Sequence, residues 1–216
     1  MISECENSLK RLGTDRIDLY FAHTYDDTTP VEESMEAFHW LKKQGKIRYA
    51  GASNHYTWQI AEANAKANRD GWEGFSCIQQ RHTYLEPSIR SNFGTQLLLT
   101  PEMQKYAAER KLTLMAYSPL LGGAYGRPDR SFPVQYQCAV NEFKLARLTK
   151  VADELGVSPN TLVLAWMLQD QPGVMPIAAA SNTEQMKENL KALTIQFTKD
   201  QMESLQSDIA QPNKYS

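Results

Sequence analysis

The sequence predicts an α/β fold, and three observations carry that reading. Apolar strand-like runs alternate with helical patterns along 216 residues, the pattern of βα units and a parallel sheet. Polar residues stand at the C-terminal end of every run, where such sheets place ligand contacts. No Gly-rich phosphate fingerprint follows the first strand, which argues against a doubly wound dinucleotide fold. Five strands are read where a closed (β/α)8 barrel needs eight. The expected architecture is therefore an incomplete (β/α)8 TIM barrel, its last five strands with their helices, as a single domain over residues 1–216.

The elements follow in order. Ile2 to Leu12 reads as a helix with Gly13 as its C′ residue. Ile17 to Ala22 reads as a buried strand ending at His23. Thr29-Pro30-Val31-Glu32 predicts a helix start with Thr29 as N-cap and Pro30 at the first position, running to Gln44 before Gly45. Ile47 to Ala52 is the second strand and Thr57 to Ala67 the next helix. Phe75 to Gln80 is the third strand. Thr100-Pro101 opens a helix ending near Arg110, and Leu112 to Tyr117 is the fourth strand, closed by Ser118-Pro119. A loop from Gly122 to Tyr136 precedes a helix from Asn141 to Leu155. Ser158-Pro159 opens another, with Leu162, Val163, Trp166 and Met167 as its apolar face. Val174 to Ala178 is the fifth strand, followed by helices Ser181–Leu193 and Thr198–Ile209.

Composition narrows the function classes. Hydrophobic residues make up 42% and charged residues 22%, ordinary for a globular domain. A net charge of −2 gives no electrostatic case for nucleic acid or an anionic membrane surface. Cys5, Cys77 and Cys138 are scattered without metal or disulfide spacing and read as reduced thiols. The first residues carry neither a basic segment nor an apolar stretch, unlike a signal peptide, so a cytoplasmic location is expected. The longest apolar run, Thr161 to Leu168, is too short to span a bilayer. The histidines His39, His55 and His82 form no metal-ligand spacing with acids, and no metal is expected.

Three stretches carry chemistry. Leu12-Gly13-Thr14-Asp15-Arg16-Ile17-Asp18-Leu19-Tyr20-Phe21-Ala22-His23 delivers a histidine at a strand tip. Gly45-Lys46-Ile47-Arg48-Tyr49-Ala50-Gly51-Ala52-Ser53-Asn54 ends a strand on Ser-Asn. Met115-Ala116-Tyr117-Ser118-Pro119-Leu120 is followed by Pro176 to Ser181 and by Glu184-Gln185-Met186-Lys187-Glu188-Asn189-Leu190. In this order they resemble the aldo-keto reductases, over essentially the whole chain. The resemblance implies a NAD(P)H-dependent oxidoreductase that reduces an aldehyde or ketone to an alcohol, with NADP as cofactor and NAD left open.

By that resemblance His23 orients the carbonyl and assists proton transfer, a donor placed where negative charge develops. Ser53, Asn54 and Gln79 hold the nicotinamide carboxamide. Gln80 stands beside Gln79, so a slip of register would exchange them, and Gln79 also suits a structural strand-end amide. Tyr117 stacks on the nicotinamide, and Ser118 and Leu120 touch the pyrophosphate. Ser181, Gln185, Glu188 and Asn189 hold the adenosine phosphate at a helix N-terminus. Simpler roles exist for most of these residues: Ser53-Asn54 suits a turn, and Ser181-Asn182-Thr183-Glu184 is itself a capping box. The chain departs from the family at the adenosine end, where Ala179 and Ala180 precede the serine and Gln185 stands where an arginine is common. The family's proton-donating Tyr, with its Lys and Asp, lies on the barrel's first strands, and nothing here replaces them at comparable spacing; Tyr25 is the nearest phenol to His23.

Three readings stay open at this level. The chain is the C-terminal part of a carbonyl reductase, a non-catalytic cofactor-binding subunit, or a non-redox enzyme that reuses His23. A homo-oligomer and a missing N-terminal segment are both compatible with it. A moderately apolar substrate is expected against the segments 86–99 and 122–136, where Phe93, Tyr125 and Phe132 lie.

Overall fold

The computed structural model describes residues 1–170 and 172–207. Its elements are α1 (Ile2–Leu12), β1 (Ile17–Ala22), α2 (Val31–Lys43), β2 (Ile47–Ser53), α3 (Thr57–Arg69), β3 (Phe75–Arg81), α4 (Pro101–Arg110), β4 (Thr113–Tyr117), α5 (Ala139–Leu155), α6 (Pro159–Gln169), β5 (Met175–Pro176), α7 (Thr183–Leu190) and α8 (Lys199–Gln206). The five strands make one parallel sheet in chain order. Each strand therefore neighbours its predecessor, and no strand reverses the winding as it would in a doubly wound sheet.

Two compact units divide the chain within β4. The first comprises Met1–Arg81 and Thr95–Met115, the second His82–Gly94 and Ala116–Ser216. In the first unit β1 pairs with β2 from Ile17↔Ile47 to Ala22↔Ala52. β2 pairs with β3 from Ala50↔Phe75 to Ser53↔Gln79, with a register shift between Ala50 and Gly51. The core is Met35, Phe38 and Leu41 of α2 against Ile47, Ala50, Ala52, Phe75 and Ile78 of the strands, all buried. Gly51 is required by a close approach: a Cβ there would come within 2.5 Å of the Phe21 ring.

The second unit is built around α6, whose residues Thr161 to Met167 are all buried. The sequence reading gave this helix a single apolar face; it is enclosed on all sides, as a helix apolar all round should be. Leu164 and Ala165 pack with Ala192 and Ile195, and Leu120 leans on this cluster. Tyr84 is fully buried and donates its hydroxyl to the Leu205 carbonyl at 3.1 Å.

Several predicted boundaries move for identifiable reasons. Thr29 is not the cap of α2. Its hydroxyl donates to Asp26 at 2.7 Å, and Pro30 occupies the cap position, so the charged acceptor wins over the helix end. The start of β4 gives up Leu112, whose N–H bonds the Ala107 carbonyl at 2.9 Å to close α4. α5 starts two residues earlier, at Ala139, because Asn141 is engaged elsewhere: it accepts from Glu86 N and donates to the carbonyls of Glu86 and Tyr136. β5 shrinks to Met175–Pro176, since Val174 N–H goes to Met167 O and Pro176 has no N–H to donate. The loop after Pro119 holds two 3₁₀ turns, Leu121–Gly126 and Val134–Tyr136. β2, α3 and β3 run slightly past their expected ends. The expected end of the last helix, Ile209, lies outside the described residues.

Candidate functional site

The ends of β1 and β2 are tied together by one side chain, that of Asn54. It follows β2 with φ of 56°, a left-handed conformation that Asn tolerates better than most residues. Its amide nitrogen donates to the His23 carbonyl at 3.1 Å and to Ser53 Oγ at 3.2 Å. Its amide oxygen accepts from Leu97 N–H at 3.0 Å. Ser53 is 1% exposed and Asn54 7%, so these groups meet the protein before they meet water. The loop leading to α4 joins β3 by a parallel bridge, Arg81↔Leu98, which carries Leu97 to the Asn54 side chain.

The register separates the two glutamines. Gln79 is opposite Ser53 in the parallel ladder, and period-2 alternation puts both on one face of the sheet. Gln80 faces the other way and is fully buried. Its amide oxygen accepts from Asn54 N–H at 2.8 Å and its nitrogen donates to the His55 carbonyl at 2.7 Å. The sequence reading assigned no role to Gln80 or His55. His55 is 6% exposed, its Nδ1 lies 2.7 Å from the Ser53 carbonyl, and burial lowers its pKa against that hydrogen bond. Nδ1 therefore carries the proton in the neutral ring. No sequence signal distinguishes these two residues, because a buried amide network has no period or spacing of its own.

His23 is exposed at the tip of β1. It lines a cleft of about 760 Å³ within the first unit, together with Tyr25, Phe38, Trp40 and His55. Tyr25 packs edge-on to His55 at 5.5 Å and to Trp58 at 6.3 Å. Asp26, on the same cleft, is held down at a pKa of about 2 by the hydroxyls and N–H groups of Thr28 and Thr29. A cleft of this size with aromatic walls and a few polar groups suits a small organic ligand. The aromatics expected to form a substrate wall instead pack within the second unit. Tyr125 is 8% exposed, shares a hydrogen bond with Thr83, accepts from Leu85 N–H and meets Phe132 at 5.2 Å; Phe93 meets Tyr136.

In the second unit Tyr117 ends β4, and its carbonyl accepts from His82 N–H at 3.4 Å. Ser118 has φ of 55° and Leu121 of 49°, so the chain after β4 turns sharply. The Leu120 carbonyl accepts from the N–H groups of Gly123 and Ala124. At the start of α7 the cap is Asn182, one residue later than expected: its side chain accepts from Gln185 N at 2.9 Å, and Gln185 Oε1 accepts from Ser181 N at 2.8 Å. Glu188 pairs with Lys191 at 2.6 Å and accepts from Thr161 Oγ1 at 2.9 Å. These contacts hold its carboxyl at a pKa of about 2. Asn189 donates to the Ala179 carbonyl at 3.3 Å. The four residues expected at the adenosine phosphate therefore sit on one short helix and the turn before it.

His82 has a consequence of its own. Its Nε2 is enclosed without a hydrogen-bond partner, beside Trp166 at 5.7 Å. Burial, with Lys144 nearby, lowers its pKa to about 4. A histidine whose folded pKa lies below its unfolded value of about 6.5 destabilises the fold as the pH falls. Its contribution is complete above about pH 6.5 and is lost between there and about pH 4, a difference of about 2–3 kcal/mol. The melting temperature of His82→Phe should therefore vary less over that range than that of the wild type. An acid limb unchanged by the substitution would place the sensitivity elsewhere.

Among the described residues no group of three or more His, Cys, Asp or Glu could hold a metal ion, and no helix is long and apolar enough to cross a membrane. The model of the Aldo/keto reductase family matches residues 1–209. An uncharacterized oxidoreductase, YrpG, of Bacillus subtilis (strain 168) is 31% identical over 204 residues, which is 90% of this chain and 59% of the relative. The aldo-keto reductase yakc [NADP(+)] of Schizosaccharomyces pombe (strain 972 / ATCC 24843) is 30% identical over 208 residues, covering 88% of this chain and 56% of its own length. The solved structure of the thermostable aldo-keto reductase Tm1743, in complex with the inhibitor epalrestat, superposes with a TM-score of 0.73 at 29% identity, over 94% of this chain and 64% of that one. The chain thus spans somewhat more than half the length of these curated relatives.

Proposed function

The chain belongs to the aldo/keto reductase family, and from that premise we propose that it carries the cofactor-holding part of a carbonyl reductase that converts an aldehyde or ketone to an alcohol. The observation that carries this reading is the join of the strand ends. Ser53 and Gln79 share one face in register, and Asn54 stands beside them in a fixed left-handed turn. A carboxamide offers one acceptor oxygen and two donor hydrogens; the Ser53 hydroxyl and the Gln79 amide answer both, while Asn54, whose two amide hydrogens go to the His23 carbonyl and Ser53 Oγ, answers through its amide oxygen.

When bound, a reduced nicotinamide supplies hydride to the carbonyl carbon. Ser53, Asn54 and Gln79 would hold its carboxamide, and Tyr117 would stack on its ring. Ser118 and Leu120 would contact the pyrophosphate. His23 donates a hydrogen bond to the carbonyl oxygen as negative charge gathers there, which is where a preoriented donor lowers the barrier. The cleft beside His23 takes a moderately apolar substrate. The proton for the new alcohol would come from a Tyr with its Lys and Asp, the donor that membership of the family implies.

The start of α7 fits an adenosine ribose, with Ser181, Gln185, Glu188 and Asn189 around it. It fits a 2′-hydroxyl better than a 2′-phosphate. Gln185 N already bonds Asn182 and Ser181 N already bonds Gln185. Of the lysines there, Lys191 is paired with Glu188, leaving Lys187 as the other cation of the segment. A phosphate dianion would gain little charge-assisted bonding. NADP, the cofactor in the name of the Schizosaccharomyces pombe relative, is accordingly expected to bind no more tightly than NAD. Introducing Gln185→Arg should raise NADPH affinity about tenfold relative to NADH, one charge-assisted hydrogen bond. Parallel fluorescence titrations with the two reduced dinucleotides measure this ratio. A wild-type preference for NADPH of tenfold or more would sink the assignment.

The reductase reading is tested by the loss of reduced-dinucleotide absorbance with benzaldehyde, using the chain joined to the N-terminal strands of a relative. Turnover that falls about a hundredfold or more in His23→Ala supports it, the usual weight of a positioned acid–base group. Dinucleotide bound but never consumed would contradict it.

A further inference from the structure

We propose that Gln80 is a positioning residue of the site: buried behind β3, it sets the left-handed turn at Asn54 and so aims the Ser53 and Asn54 side chains. The inference rests on the carboxamide role given to those residues above.

The geometry is specific. The Gln80 side chain is 0% exposed and spans the turn after β2, accepting from the N–H of Asn54 and donating to the carbonyl of His55. Its remaining N–H lies 3.5 Å from Met103 Sδ on α4. The two backbone partners fix which way the amide points, since the reverse would set N–H against N–H and oxygen against oxygen. Asn54 N–H and His55 C=O are thereby satisfied inside the unit at a turn where the ladder has ended, and buried backbone groups need such partners. A non-glycine residue held at positive φ requires its surroundings to over-determine it. Here they do so from both sides: Gln80 holds the backbone of Asn54, and Leu97 N–H with His23 O hold its side chain. His55 adds a third tie by bonding back to Ser53 O. Gln80 points away from the face that Ser53 and Gln79 share, so it acts through Asn54 and not by touching a ligand.

Two substitutions separate positioning from general support. In Gln80→Met a side chain of similar length fills the space and both hydrogen bonds are lost. In Gln80→Glu the acceptor for Asn54 N–H is kept, and the donor for His55 O returns only when the carboxyl is protonated. The full 216-residue chain and both variants are titrated with NADH and, separately, with ADP-ribose, which lacks the nicotinamide. Amide hydrogen exchange at Leu97 is followed without ligand.

The expected result for Gln80→Met is NADH affinity about tenfold lower, the weight of one or two lost orienting hydrogen bonds, with ADP-ribose affinity unchanged and Leu97 exchange faster. Gln80→Glu should bind NADH more nearly as the wild type does when the solution is mildly acidified, while Gln80→Met does not recover. Unchanged NADH affinity in a folded Gln80→Met chain would overturn the proposal. So would equal losses for NADH and ADP-ribose, which denote a general loss of structure, or Leu97 exchange that does not move. If the wild type binds no dinucleotide, the cofactor reading fails on that result, while Leu97 exchange still decides whether Gln80 sets Asn54.

Discussion

Alanine at position 54 is expected to destabilise the first unit by about 3–6 kcal/mol and to remove dinucleotide binding altogether. Three losses add up. The Leu97 N–H loses the Asn54 oxygen, and a buried donor left without a partner costs about 1–3 kcal/mol. The tie to the His23 carbonyl disappears, about 1 kcal/mol more. An alanine held at φ of 56° carries the left-handed penalty of about 1–2 kcal/mol. Asn54→Gly separates these terms: it relieves the backbone penalty and still lacks the side-chain bonds, so it should lie about 1–2 kcal/mol above Asn54→Ala. Urea unfolding followed by tryptophan emission reads the difference, because Trp40, Trp58 and Trp72 all belong to the first unit. Equal stability for wild type and Asn54→Ala would mean that the strand ends are held by other contacts.

The second large effect is expected at Phe38. It is fully buried on the sheet-facing side of α2, edge-on to Phe75 at 5.4 Å and to Tyr20 at 6.2 Å. Truncation to alanine removes the apolar transfer energy and leaves a cavity, together about 3–5 kcal/mol. Phe38 also lines the cleft beside His23, so the lost volume opens toward solvent and the lower half of that range is favoured. Phe38→Leu keeps most of the volume and should cost less than about 1.5 kcal/mol. The denaturation midpoints of the two variants check both figures. A Phe38→Ala chain as stable as the wild type would remove α2 from the core that supports β1.

The long elements were legible because their signals are local. The run Ile17–Ala22, the close of α1 at Gly13 and the Thr100-Pro101 start of α4 all appear where the sequence puts them. At Gly13 the chain takes φ of 65° and both expected closing hydrogen bonds form. Local rules failed where another group competed for the same atoms. Asp26 took the hydroxyl of Thr29 from the α2 cap, and Glu86 took the side chain of Asn141. At the strand ends, His23, Ser53, Asn54 and Gln79 were readable as positions, and the structure puts Ser53 opposite Gln79 and ties Asn54 to the His23 carbonyl. The support beneath them was not: Gln80 and Leu97 reach Asn54 across 26 and 43 positions of sequence. Such contacts follow from register and packing and leave no periodic mark. The wall aromatics Tyr125 and Phe132 looked like ligand contacts for the converse reason, since an exposed loop and a self-packed one can have the same composition.

The central claim is that the strand ends are assembled to hold a nicotinamide dinucleotide. It is tested most directly by titrating the folded 216-residue chain with NADH and with NADPH, following energy transfer from tryptophan to the reduced nicotinamide. The structure predicts saturable binding of at least one of them, lost in Asn54→Ala and weakened in Gln80→Met. A chain that is folded by circular dichroism and binds neither would contradict the claim.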